Sequence, residues 1–86
     1  MKKILFSKQA QKDYEKLKNN KALFKKALML LNIISENPYQ NPPTYEKLLG
    51  ELQGAYSRRI NNQHRLVYRI VENEIWIISM WTHYEF

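Results

Sequence analysis

The apolar positions along this 86-residue chain change their period once, a little past the middle. Residues 3–6 (KILF) form a short apolar run suited to a first strand. Ser7 follows, with a hydroxyl able to accept from the free amides of a helix's first turn. Ala10, Tyr14 and Leu17 then recur at helical spacing, which predicts a helix reaching to about Asn19. Asn19-Asn20 marks the break and the cap of the next helix. Over residues 21–36, Leu23, Phe24, Ala27, Leu28, Leu31 and Ile34 lie on one broad stripe that Leu30 and Ile33 widen. This second helix is expected to be more buried than the first. Pro38 stops it, because proline lacks an amide hydrogen and disfavours helical geometry in the residue before it.

Residues 38–44 (PYQNPPT) read as a loop, and from Gln53 onward the pattern is that of strands. Residues 55–60, 65–71 and 75–82 are rich in β-branched and aromatic side chains and are separated by short polar turns. Asn61-Asn62 suits a tight hairpin, since asparagine tolerates positive φ, and Glu72-Asn73-Glu74 suits another. The expected fold is α+β: an N-terminal strand and a two-helix hairpin packed on an antiparallel sheet, one domain over residues 1–86. Side chains alternate along a strand. Leu66, Tyr68 and Ile70, with Ile75 and Ile77, should form the core side beneath the helices, and Arg65, Val67 and Arg69 should face the other way.

Composition narrows the chemistry. A chain 44% hydrophobic and 13% aromatic can build one core and is not disordered by composition. With no cysteine, disulfides, thiolate chemistry and cysteine-based zinc sites are excluded. Two histidines, His64 and His83, do not make a metal site by themselves, so neither metal nor cofactor is expected. No apolar run approaches the ~18 residues that would span a membrane, and the stretch after Met1-Lys2-Lys3 is too short for a signal peptide. A cytoplasmic setting follows as the expectation. Fourteen Lys and Arg against eight Asp and Glu give +6, a balance that favours polyanions through counterion release.

Most helical lysines (Lys12, Lys16, Lys18, Lys21, Lys25, Lys26) read as a solvated face. Arginines are placed more suggestively. Tyr56-Ser57-Arg58-Arg59 sets two guanidinium groups on opposite sides of one strand, and Arg65 follows the hairpin. Three arginines interleaved with aromatics can make a phosphate-binding surface, because guanidinium is a planar fork of donors and aromatic faces stack on bases. Glu46, just past the proline-rich loop, and His83-Tyr84 near the C-terminus complete a possible set. Cleavage of RNA by its own 2′-hydroxyl needs a base, a cation for the charge developing on phosphorus, and an acid for the leaving 5′-oxygen. On spacing alone, a solvated sheet face and a frayed strand end are the ordinary readings of these residues.

The run Ser57-Arg58-Arg59-Ile60, three variable residues, then His64-Arg65-Leu66-Val67-Tyr68 resembles the signature of the YoeB/Txe toxins within the RelE/ParE superfamily. The similarity extends over nearly the whole chain. It takes in a Tyr45-Glu46-Lys47-Leu48 stretch placed like the family's E-x-L element, and the His83-Tyr84 ending. What the resemblance implies is a RelE-like fold and a metal-independent endoribonuclease that cuts mRNA in the ribosomal A site. It also implies a homodimer held in check by an antitoxin of the YefM/Axe type. By matching motif, Glu46 would be the general base, Arg65 the cation at phosphorus and His83 the acid, with Tyr84 and Arg59 helping to hold or cleave RNA.

Two other classes stand beside it: a ParE-like inhibitor of DNA gyrase and a non-catalytic RNA-binding module. The chain departs from the family at Leu49, where a lysine is common, with Lys47 nearby, and in continuing past His-Tyr with Glu85-Phe86. Register imposes a further condition. A two-residue turn at Glu72-Asn73 pairs Arg65 with Met80 and sends His83 to the wrong face, whereas a three-residue turn pairs Arg65 with Trp81. An odd-length turn, or a bulge near the C-terminus, is therefore expected.

Overall fold

The computed structural model describes residues 2–81 and comprises two helices on one face of a five-stranded sheet. Strand β1 (Lys3–Phe6) leads through Ser7 into α1 (Lys8–Leu17), and the Ser7 hydroxyl accepts from the Ala10 amide at 3.0 Å. Asn20 caps α2 (Lys21–Glu36) in the same way, accepting from the Leu23 amide at 3.1 Å. Helix α1 stops two residues short of the expected end. The greater burial expected of α2 is carried by Ala27, Leu30, Leu31 and Ile34.

The sheet order is β1-β5-β4-β3-β2, with β2 (Tyr45–Lys47), β3 (Ala55–Arg59), β4 (Arg65–Val71) and β5 (Glu74–Ser79). Strands β3 to β5 pair antiparallel, as expected. Strand β1 instead joins β5 in parallel, which the two intervening helices make possible by crossing the sheet. The three-residue β2 pairs with β3 and was not expected as a strand.

Alternation sorts the faces as read. Leu66, Tyr68, Ile75 and Ile77 are fully buried under α1 and α2 with Leu17, Leu30 and Ile34. On the opposite face a smaller apolar group forms from Leu48, Ala55 and Val67, edged by Leu52 and Ile78. That group rests on one turn of 3-10 helix, Gly50–Leu52. Gly54, at φ +93, is required where β3 begins: a Cβ there would lie 3.1 Å from an Arg69 guanidinium nitrogen.

Both turns differ from expectation. Around Asn61 no residue takes positive φ; the Asn61 side chain accepts instead from the amides of Gln63 (2.8 Å) and His64 (2.6 Å), an Asx turn within a wider loop. The β4–β5 turn has two residues, with Val71 opposite Glu74 and Glu72 at φ 56, so the odd-length turn is ruled out. The alternative, a bulge, is present. Tyr68 pairs with Ile77 but Val67 pairs with Ser79, so Ile78 is an extra residue in β5. Extending the shifted register sets Arg65 opposite Trp81 rather than Met80. Strand β5 ends at Ser79 rather than at residue 82, which is outside the described residues.

Candidate active site

The site is built on the face of the sheet away from the helices, where β2, β3 and β4 run side by side. Glu46 stands opposite Ser57, and Ser57 opposite Val67; two residues along, Arg59 stands opposite Arg65. These side chains therefore share a face, and Glu46 and Arg65 meet across β3. An Arg65 guanidinium nitrogen donates to Glu46 Oε1 at 3.1 Å. The Arg65 side chain is 21% exposed and that of Glu46 57%, so the pair is open to an incoming ligand. Beside it a groove of about 310 Å³ is lined by Pro43, Thr44, Glu46, Ser57 and the exposed Arg59. Ser57 Oγ is buried here without a hydrogen-bond partner among the described residues.

Two arginines and one glutamate in this setting can bind a phosphodiester and supply both a base and a cation. Guanidinium groups hold phosphate oxygens through charge-assisted bonds, and a carboxylate within reach of the same phosphate can take a proton from a neighbouring hydroxyl. His83 and Tyr84 lie outside the described residues. Among the described residues, no three or more His, Asp or Glu side chains are grouped so as to hold a metal ion.

Arg58 does not belong to this surface, and the reading of three arginines as one phosphate-binding cluster is corrected. It points to the helix side, is 1% exposed, and spends its donors on the proline-rich loop. Its guanidinium donates to the carbonyls of Pro43 (2.6 Å), Gln40 (2.9 Å) and Pro38 (3.1 Å), and to Tyr68 Oη (3.1 Å). The loop that leads into Glu46 is thus pinned from beneath the sheet. Lys47 takes no place beside Glu46 either: it pairs with Tyr56, on the face opposite Glu46 by alternation.

Tyr68 completes the pin, its hydroxyl donating to the Pro38 carbonyl at 2.8 Å. Burial pushes that hydroxyl above the ordinary tyrosine range, and the neighbouring Arg58 guanidinium pulls it back only in part. Folding therefore favours the protonated phenol. This contribution is complete below about pH 10 and is lost as pH rises through the raised folded value. In urea titrations, wild type should lose more stability between about pH 9 and 11 than Tyr68→Phe; equal losses would count against the pin.

Two functional candidates were not anticipated. Asp13 is 1% exposed on α1, and its carboxylate accepts from the amides of Met80 (2.9 Å) and Trp81 (3.3 Å). His64, 8% exposed, stacks on Trp81 with ring centroids 4.1 Å apart, and its Nδ1 is hydrogen-bonded to the Trp81 carbonyl. A signal for Asp13 did exist: it lies within the apolar arc of Ala10, Tyr14 and Leu17, where a carboxylate needs a buried partner.

A helix pair on one face of a five-stranded mixed sheet and a Glu–Arg pair on the other define a small basic α+β protein. The chain belongs to the YoeB-like toxins of bacterial type II toxin–antitoxin systems, whose family model matches residues 6–84. A toxin YoeB from Synechocystis is 38% identical over 84 residues, covering 96% of this chain and 98% of that one. Among solved structures, a YoeB–YefM complex from Staphylococcus aureus matches with TM-score 0.85 and 44% identity over 98% of this chain and 99% of that one. A YoeB dimer from the same organism matches with TM-score 0.81 and 43% identity over 95% and 97%.

Proposed function

We propose that this toxin is a ribosome-dependent endoribonuclease that cuts mRNA in the A site by attack of the RNA's own 2′-hydroxyl. The observation that carries the reading is the 3.1 Å contact between Glu46 and Arg65 on an open sheet face, with Arg59 in the neighbouring groove. Arg59 and Arg65 draw the scissile phosphate onto the face, and Glu46 takes the 2′-hydroxyl proton as the oxygen attacks phosphorus. Arg65 steadies the negative charge on the pentavalent phosphorane, an effect of about 10²–10³ in rate for a preorganised donor of this kind. His83, assisted by Tyr84, gives a proton to the leaving 5′-oxygen; imidazole is suited to that task near neutral pH. No metal enters the scheme. The products are a 2′,3′-cyclic phosphate and a 5′-hydroxyl.

The relatives whose structures are a YoeB–YefM complex and a YoeB dimer support the same two assemblies here. The antitoxin partner is of the YefM/Axe type, and the free toxin is a cytoplasmic homodimer. A net charge of +6 suits a partner with an acidic segment that folds on binding.

Purified protein added to a translation reaction, with breaks mapped by primer extension, tests the proposal. The expected result is cleavage that requires ribosomes and is lost in Glu46→Ala and Arg65→Ala. Intact mRNA with inhibited supercoiling would point to gyrase instead, and RNA binding without cleavage to a non-catalytic module.

A further inference from the structure

The β4–β5 ladder closes at Val67–Ser79, yet the two residues after it are held more tightly than a strand end requires. Met80 is fully buried. The amides of Met80 and Trp81, which would otherwise face an apolar interior unpaired, both donate to one oxygen of Asp13, and the other oxygen accepts from Gln9 Nε2 at 2.9 Å. The Trp81 carbonyl is bonded to His64 Nδ1; a carbonyl can only accept, so Nδ1 carries the hydrogen. The Trp81 ring lies against the His64 ring, and the Lys16 ammonium sits 5.8 Å from its centroid. Asp13 therefore holds the amide of Trp81, and His64 holds both its carbonyl and its ring.

His64 is itself fixed. Its amide donates to Asn61 Oδ1, and its carbonyl accepts from the Ile60 and Asn61 amides at 2.9 and 3.2 Å. It also directly precedes Arg65, so the loop that sets Arg65 also sets Trp81. His83 follows Trp81 by two residues, a span of at most about 7 Å of extended chain.

We infer that Asp13 and His64 are positioning residues that clamp the Trp81 backbone so that the chain bearing His83 and Tyr84 starts from a fixed point beside Arg65. Neither touches RNA; each acts through Trp81. The inference rests on the endoribonuclease reading, because it assigns the clamp a part in delivering the acid. A burial of charge needed only for docking α1 on β5 would affect stability and not the cleavage step.

Four variants separate these roles. His64→Leu keeps apolar bulk but loses the donor, whereas His64→Asn places an amide nitrogen where Nδ1 stands. Asp13→Leu loses the acceptor, and Asp13→Asn keeps one oxygen for both amides. Single-turnover cleavage on programmed ribosomes is measured at a temperature where circular dichroism shows each variant folded. The leucine variants should have a maximal rate lowered ~10–100-fold, the scale of a small misplacement of a reacting group, with half-saturating ribosome concentration within about twofold. The asparagine variants should recover to within about fivefold of wild type.

Folded leucine variants that cleave like wild type would overturn the clamp while leaving the nuclease reading intact, as would asparagine variants no faster than the leucine ones. If Asp13→Leu does not fold, the His64 pair decides alone. A wild-type protein that never cleaves would instead remove the nuclease reading, and this inference with it.

Discussion

Arg65→Ala is expected to slow mRNA cleavage by about 10²–10³-fold while moving the melting temperature by only a few degrees. The asymmetry follows from where the guanidinium stands. Its ion-pair partner Glu46 has a side chain 57% exposed, and pairs of that kind contribute about 0–1 kcal/mol to stability. The charge it would meet in the reaction, by contrast, appears on phosphorus only in the transition state, where a preorganised donor counts most. Arg65→Lys keeps the charge but not the planar fork and should fall between wild type and alanine. Thermal melts paired with single-turnover cleavage check both halves. An Arg65→Ala protein that unfolds, or that cleaves at the wild-type rate, would contradict the assignment.

Arg58→Leu should do the reverse, destabilising the protein by about 3–5 kcal/mol. Arg58 is adjacent to Arg59, yet one residue along a strand is the difference between solvent and interior. Its loss takes a donor from the Gln40 and Pro43 carbonyls and leaves the Pro38 carbonyl and Tyr68 Oη only each other, and a buried polar group left unpaired costs about 1–3 kcal/mol. Against a total stability of about 5–15 kcal/mol this is severe, and the melting temperature should fall by roughly 15 °C or more. Arg58→Lys should not restore it, since one ammonium group cannot reach four acceptors spread over the loop. Urea denaturation of both variants measures the effect. A loss below about 1 kcal/mol would mean that the loop is held by other contacts.

The contrast between these two arginines also marks how far the sequence could be read. The β3–β4 register, not the pattern, puts Arg65 with Arg59; period-two alternation from Ala55 to Ile77 was enough only to assign faces within a strand and to separate Arg58 from Arg59. It carried no information about what waits on each face. That the carbonyls of residues 38–43 fold under the sheet to meet Arg58 depends on a loop without periodicity, so three arginines read as one surface.

Strand β2 was illegible for a related reason: three residues, Tyr45–Lys47, are too short to show alternation, and only pairing with β3 makes them a strand. The parallel entry of β1 is likewise a matter of topology, which hydrophobic pattern does not encode. Register was the more tractable question. Alternation required an odd shift between β4 and β5, and the choice between a longer turn and a bulge was settled at Ile78. There the Ser7 hydroxyl donates to the Ile78 carbonyl at 2.7 Å, an interaction joining residues 71 apart in sequence. Asp13 was visible as a carboxylate in an apolar arc, but its partners, the amides of Met80 and Trp81, come from the far end of the chain.

The central claim is that Glu46 and Arg65 direct cleavage by the RNA's own 2′-hydroxyl, and the chemistry of the cut ends tests it most directly. Fragments from a translation reaction treated with wild-type protein should carry a 5′-hydroxyl that polynucleotide kinase labels without prior phosphatase. Their 3′ partners should end in a 2′,3′-cyclic phosphate, and both should be absent with Glu46→Ala. Fragments bearing 5′-phosphates, or mRNA that stays intact on translating ribosomes, would contradict the account.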